Sequence, residues 1–179
     1  MASHVALLRA VNVGGRNLIG MAGLRASFAG LGFPDARTLL QSGNVVFNGG
    51  GRGSGALETL LEAETEKRFR VRVDYMVRTA KEWNEIVARN PFGDEARRDP
   101  GHLVVLFLKQ TARAGAESAL RSSIKGPEKA RVAGRHVYIV YPEGIGRSKL
   151  TPAILERELG CRGTGRNWNT ILKLQALLA

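Results

Sequence analysis

One cysteine, Cys161, is all this chain of 179 residues carries, so no disulfide can close within it. Beside Arg162 that thiol is read as a small, partly buried apolar residue rather than a reactive one. Histidine is nearly as scarce. His4, His102 and His136 lie far apart and at no metal-ligand spacing, so neither a metal nor a cofactor is expected. No apolar run approaches the roughly 20 residues of a membrane helix, the longest being Leu103 to Leu108, and no membrane partner is expected. The first apolar stretch, Val5 to Leu8, is cut by Arg9 and is too short for a secretory signal, which makes the cytoplasm the expected location. Acids are in short supply too: 16 face 27 basic residues, a net charge of +11 that attracts nucleic acid or other polyanions by Coulomb forces. Twenty of the 27 are arginine, a bias that a GC-rich genome also produces with no functional meaning.

What is present, 44% hydrophobic residues, is enough for a buried core. Val5 to Val11 predicts a strand, and Met21, Leu24, Phe28 and Leu31 recur at helical spacing up to a stop at Gly32. Ala36 to Gln41 and Val45 to Phe47 predict a hairpin turned at Ser42-Gly43-Asn44. The glycine-rich stretch 48–55 lacks the lysine and hydroxyl of a P-loop and reads as a connection, with Ser54 capping a helix that ends near Phe69. From Arg70 to Arg78, Val71, Val73, Tyr75 and Val77 alternate with polar neighbours, the pattern of a half-buried strand. Thr79 and Glu82 make a capping box, and the charged stretch to Asp99-Pro100-Gly101 reads as a linker.

The second half repeats the order. A strand over 102–108, a helix over 111–124, a hairpin of 129–132 with 136–141, a helix opened by Thr151-Pro152, a short strand over 161–164 and a helix from Trp168 are predicted. Two β-α-β-β-α-β runs imply an α+β fold, a tandem duplication of ferredoxin-like units with antiparallel sheets and an extra C-terminal helix. The expected organisation is a first subdomain over 1–80, a helix and linker over 81–101, and a second subdomain over 102–179.

Two near-identical triplets stand out. Gly15-Arg16-Asn17 follows the first strand and Gly165-Arg166-Asn167 precedes the last helix, each pairing a permissive glycine with a planar fork of donors suited to phosphate or carboxylate. Around them the candidate ligand-binding residues are Asn12, Arg16, Asn17, Gln41, Ser42, Asn44, Arg166, Asn167, Asn169 and Thr170. Structural roles compete: Asn17 and Asn167 as helix caps, Asn44 as a turn residue whose side chain bonds its own backbone, Trp168 as a core aromatic. The loop Gly144-Ile145-Gly146-Arg147 before Ser148-Lys149 fits no nucleotide fingerprint.

The blocks Leu8-Arg9-Ala10-Val11-Asn12-Val13-Gly14-Gly15-Arg16-Asn17, Gln41-Ser42-Gly43-Asn44-Val45-Val46-Phe47 and Arg166-Asn167-Trp168-Asn169-Thr170, with Tyr141-Pro142-Glu143-Gly144, together resemble the bacterial domain-of-unknown-function 1697 family. That resemblance implies a duplicated ferredoxin-like α+β protein and no particular activity.

Three functions remain open. One is binding of an anionic small ligand or nucleotide-like molecule by Arg16 and Arg166, which requires both to open on one recess. The second is a nucleic-acid-binding module using the sheet faces, for which Ser42 to Phe47 supplies only Phe47 as a stacking aromatic. The third is a hydrolase or transferase on a small phosphorylated or carboxylated substrate, with Ser42 or Lys173 in a chemical role. No general base stands among the motif residues to assist it.

Overall fold

The computed structural model describes residues 3–179. The chain divides into two compact units, one running to Val87 and including Lys173–Ala179, the other spanning Ala88–Leu172. Among the described residues there are two four-stranded antiparallel sheets and seven α-helices.

In the first unit the elements are β1 (His4–Leu8), α1 (Met21–Gly30), β2 (Arg37–Leu39), β3 (Asn44–Phe47), α2 (Ser54–Phe69), β4 (Tyr75–Thr79) and α3 (Ala80–Ala88), with strand order β2-β3-β1-β4. Alternate strand residues Ala6, Leu8, Val45, Phe47, Tyr75 and Val77 share one core with Leu24 and Phe28 of α1 and Leu57 and Leu61 of α2. Each of the valine, leucine and phenylalanine side chains among them contributes about 1.5–3 kcal/mol on burial. Phe47 meets the edges of Phe28 and Phe33 with ring centroids 5.1 Å apart in both cases.

β4 is an edge strand, and a row of its N–H groups would otherwise go unpaired. Two glutamates one helical turn apart on α2 cover it: Glu58 Oε1 accepts from Val77 N and Glu62 Oε1 from Tyr75 N, both at 2.9 Å. The capping box forms as the spacing predicts, with Thr79 N donating to Glu82 Oε2 at 2.7 Å and Glu82 N to Thr79 Oγ1 at 3.1 Å.

The second unit holds α4 (Gly93–Arg98), β5 (Leu103–Leu108), α5 (Ala116–Ser123), β6 (Lys129–Ala133), β7 (His136–Val140), α6 (Pro152–Leu159), β8 (Gly163–Asn167) and the start of α7 (Trp168–Leu178), with strand order β6-β7-β5-β8. Its core gathers Val104, Leu108, Val137 and Ile139 from the sheet with Leu120 of α5 and Leu155 and Leu159 of α6. Thr151 caps α6 through its side chain, Pro152 opens it, and Gly160 closes it in the left-handed region. Here too a helix glutamate covers an edge strand, Glu117 Oε2 accepting from Val132 N at 2.9 Å.

Several expectations shift. Arg70 is the left-handed C-cap of α2, so β4 starts at Tyr75 and not at Arg70. Gly53, not Ser54, is the N-cap of α2. The charged stretch expected as a linker winds into α4 and a 3-10 turn over Pro100–His102. α5 begins only at Ala116 because Gly115 takes a positive φ of 74°. The last strand falls at Gly163–Asn167, so the second Gly-Arg-Asn triplet is strand and not turn.

The second sheet faces are also buried. Val5, Leu7, Val46 and Met76 in one unit, and Leu103, Val105 and Phe107 in the other, are all at 0% exposure. Each of these faces contains one buried arginine at the same register point: Arg78 opposite Val5, and Arg166 opposite Val105.

Candidate functional site

In the first unit, the segment between β1 and α1 is organised by asparagines. Gly14 and Gly15, both at positive φ, form the tip of a two-residue hairpin in which Val13 pairs with Arg16. Asn12, itself at φ 54°, donates from Nδ2 to Ile19 O at 3.0 Å and to Gln41 O at 2.7 Å, and accepts from Ile19 N at 2.8 Å. Asn17 Nδ2 donates to Ala10 O at 3.1 Å. Asn17 is therefore a loop fastener and not a helix cap. Asn44 is fully buried, and its Nδ2 donates to Leu39 O at 2.7 Å and to Ser42 Oγ at 3.0 Å, closing the β2–β3 hairpin. Gly43 sits so tightly there that a Cβ would lie 2.7 Å from Leu8 Cβ. The sequence blocks around Asn12 and around Ser42 thus meet through one side chain, with Arg16, Gln41 and Ser42 exposed around it.

In the second unit the four motif residues separate by strand alternation. Gly165 and Asn167 pair with Leu106 and Val104, whereas Arg166 and Thr164 point to the opposite face. Arg166 Nη1 donates to Thr164 Oγ1 at 2.7 Å and Gly165 O at 2.8 Å, and burial pulls its pKa down to about 10. Its Nη1 is bonded within its own strand and its side chain is buried, whereas Arg16 is exposed. Asn167 Oδ1 accepts from Thr170 N at 3.0 Å as the cap of α7. Trp168 and Thr170 are buried, while Asn169 and Lys173 are exposed.

A cleft of about 540 Å³ opens on the Gly165–Asn167 side, lined by Gly101, His102, Val104, Tyr141, Gly144, Ile145, Gly165 and Asn167. Gly165 forms part of its floor, since a Cβ there would press to 3.0 Å on Val104. The blocks around Tyr141–Ile145 and Gly165–Asn167, distant in sequence, meet in it. Asn169 lies beside it, its Nδ2 4.0 Å from where a side chain on Gly101 would begin.

His102 is the group that composition alone did not single out. Its Nδ1 is 2.7 Å from Asp99 Oδ2, a bond that puts the ring proton on Nδ1 in the neutral form and leaves Nε2 as an acceptor. Nε2 faces the Gly144 loop, 3.6 Å from where a Gly144 Cβ would stand. The signal was present as Asp99-Pro100-Gly101-His102, an i, i+3 pair across a turn. Tyr141, buried in the wall, has its phenol pushed up to about 12 by desolvation and stays neutral. Among the described residues, no group of three or more His, Cys, Asp or Glu side chains could hold a metal ion, and no helix is long and apolar enough to cross a membrane.

A conserved bacterial protein from Streptococcus pneumoniae, SP0830, has a similar solved structure, with a TM-score of 0.77 and 20% identity over 99% of each chain. No curated protein matches. Residues 1–138 match the family described as "Protein of unknown function (DUF1697)", a span that includes the Asn12 and Ser42 blocks and ends before Arg166. Family and fold agree in leaving the activity open, and on this match the chain belongs to the DUF1697 family.

Proposed function

We propose that the Ala88–Leu172 unit binds a small molecule bearing a phosphate or carboxylate, with Asn167 Nδ2 and the Nε2–H of the protonated His102 ring donating to the acid group and Val104, Tyr141 and Ile145 packing against its body. The observation that carries this is one cleft holding an imidazole oriented by Asp99 beside the asparagine of the second Gly-Arg-Asn block. The anion-binding role first assigned to Arg166 passes to His102, because Arg166 lies on the other face of β8. The two equal strand orders favour a tandem ferredoxin-like duplication, and the single cysteine favours a cytoplasmic protein. Nucleic-acid recognition across the sheets has less in its favour, since Phe47 packs against Phe28 and Phe33 and the opposite faces are buried.

Titration of the full chain with AMP and with inorganic phosphate, followed by backbone amide NMR, tests the cleft. Saturable shifts confined to residues 101–104, 141–145 and 165–169 at about 1 mM ligand or below are expected, weakened about tenfold or more in His102→Ala. No saturable shift with either probe, or shifts centred elsewhere, overturns it.

A further inference from the structure

A second polar cluster, in the first unit and outside that cleft, has the chemistry of a nucleophile. Ser3 Oγ has one proton and two acceptors within reach, His4 Nδ1 at 2.6 Å and, at the longer 3.2 Å, Asn48 Oδ1, to which it can donate instead. Gly49 N donates to the same Oγ at 3.1 Å. Gly49 can approach because it has no side chain: a Cβ there would lie 2.8 Å from His4 Nδ1 and from Leu57 Cδ1. The His4 ring is packed in the core end, 5.7 Å from the Phe47 ring centroid, while Ser3 stays half-buried.

We infer that Ser3 and His4 form a nucleophile–base pair that accepts an acyl or phosphoryl group from a small activated ester. Three features support the pairing. The hydroxyl's shortest polar contact is the imidazole nitrogen that would take its proton, the arrangement by which a weak hydroxyl nucleophile is activated. Burial lowers the His4 pKa, with Glu82 opposing, so the proton-accepting neutral ring prevails at neutral pH. Glu82 is held in place by the Thr79 capping box and favours the imidazolium once it forms. Asn48, one bond from Ser3, also lines a shallow cleft of about 420 Å³ with Phe33, Asp35 and Arg52, which supplies room and a cation for an acid-bearing substrate.

In the step, Ser3 Oγ bonds to the carbonyl carbon as its proton passes to His4 Nδ1; the C–O bond to the leaving alcohol breaks, and that alcohol takes the proton back from His4. Water then adds to the acyl-serine with His4 again as base, releasing the acid and restoring Ser3.

Treating the full chain with diisopropyl fluorophosphate tests it directly, since the Oγ–P bond forms as P–F breaks and the product is located by peptide mass spectrometry. Labelling of Ser3 at least about tenfold faster than of exposed Ser122 in the same molecule is expected, falling about tenfold in His4→Gln at an unchanged urea midpoint. Labelling of Ser3 no faster than Ser122, or as fast in His4→Gln as in the parent, overturns the pairing and leaves Ser3 as a turn cap for Gly49. The Ser122 comparison needs no variant to fold.

Discussion

The two units share a strand order but differ in where their backbone is strained. All five described non-glycine residues at positive φ, namely Ala10, Asn12, Asn17, Leu40 and Arg70, belong to the first unit, and four of them lie in the two loops that Asn12 joins. The second unit turns its hairpin at Gly134 and closes α6 at Gly160, so glycine takes the left-handed positions at little cost. A left-handed alanine or leucine costs roughly 1–2 kcal/mol and persists only where neighbours over-determine it. The lesson is that one topology tolerates two kinds of rim. One is a rigid loop pair held by side-chain amides; the other is a set of relaxed turns leaving a cleft at the sheet end.

The largest expected difference between the units lies at their guarded edges. Glu58→Ala removes the acceptor of Val77 N and the carboxylate 4.0 Å from the buried Arg78 guanidinium, and should cost about 3 kcal/mol in urea unfolding. Glu117→Ala uncovers Val132 N at a half-buried site whose partner Arg121 is exposed, and should cost only about 1 kcal/mol. Equal losses would show that the two edges are guarded alike.

A smaller contrast separates the asparagines. Asn12→Ala strips three hydrogen bonds from a left-handed position and should cost about 2 kcal/mol, whereas Asn167→Ala removes one helix cap for about 1 kcal/mol. Should Asn12→Ala prove as mild as Asn167→Ala, the loop pair is held by its backbone and not by Asn12.

The smallest effect is one of pH. His4 has a folded pKa below its unfolded value of 6.5, so the unfolded chain binds more protons as pH falls through that value. The stability that the neutral ring contributes is present above the unfolded pKa and is lost on acidification. Melting temperature should therefore fall less from pH 7 to pH 5 in His4→Gln than in the parent, and parallel curves would remove His4 as a source of acid sensitivity.

Hairpins, caps and element order were legible because they rest on local chemistry. Ser42-Gly43-Asn44, Thr79 with Glu82, and Thr151-Pro152 act within four residues of themselves. The site was less legible, because a strand's two faces look alike when both are buried. Arg78 falls on the polar side of a half-buried strand pattern and Arg166 among the candidate ligand-binding residues, yet both are buried. His102 was overlooked for a related reason: its partner is close in sequence, but its cleft is assembled from Tyr141, Gly144 and Asn167, far along the chain.

What the residues alone determined is the order of helices and strands, their caps and turns, and the strong positive charge, since periodicity, side-chain capping and Coulomb balance are properties of short segments or of composition. Tertiary structure alone decided which alternate residues of β8 meet the cleft and which lie buried, and which distant side chains gather around His102. Those outcomes depend on strand register and on contacts between residues tens of positions apart, and no local pattern encodes them.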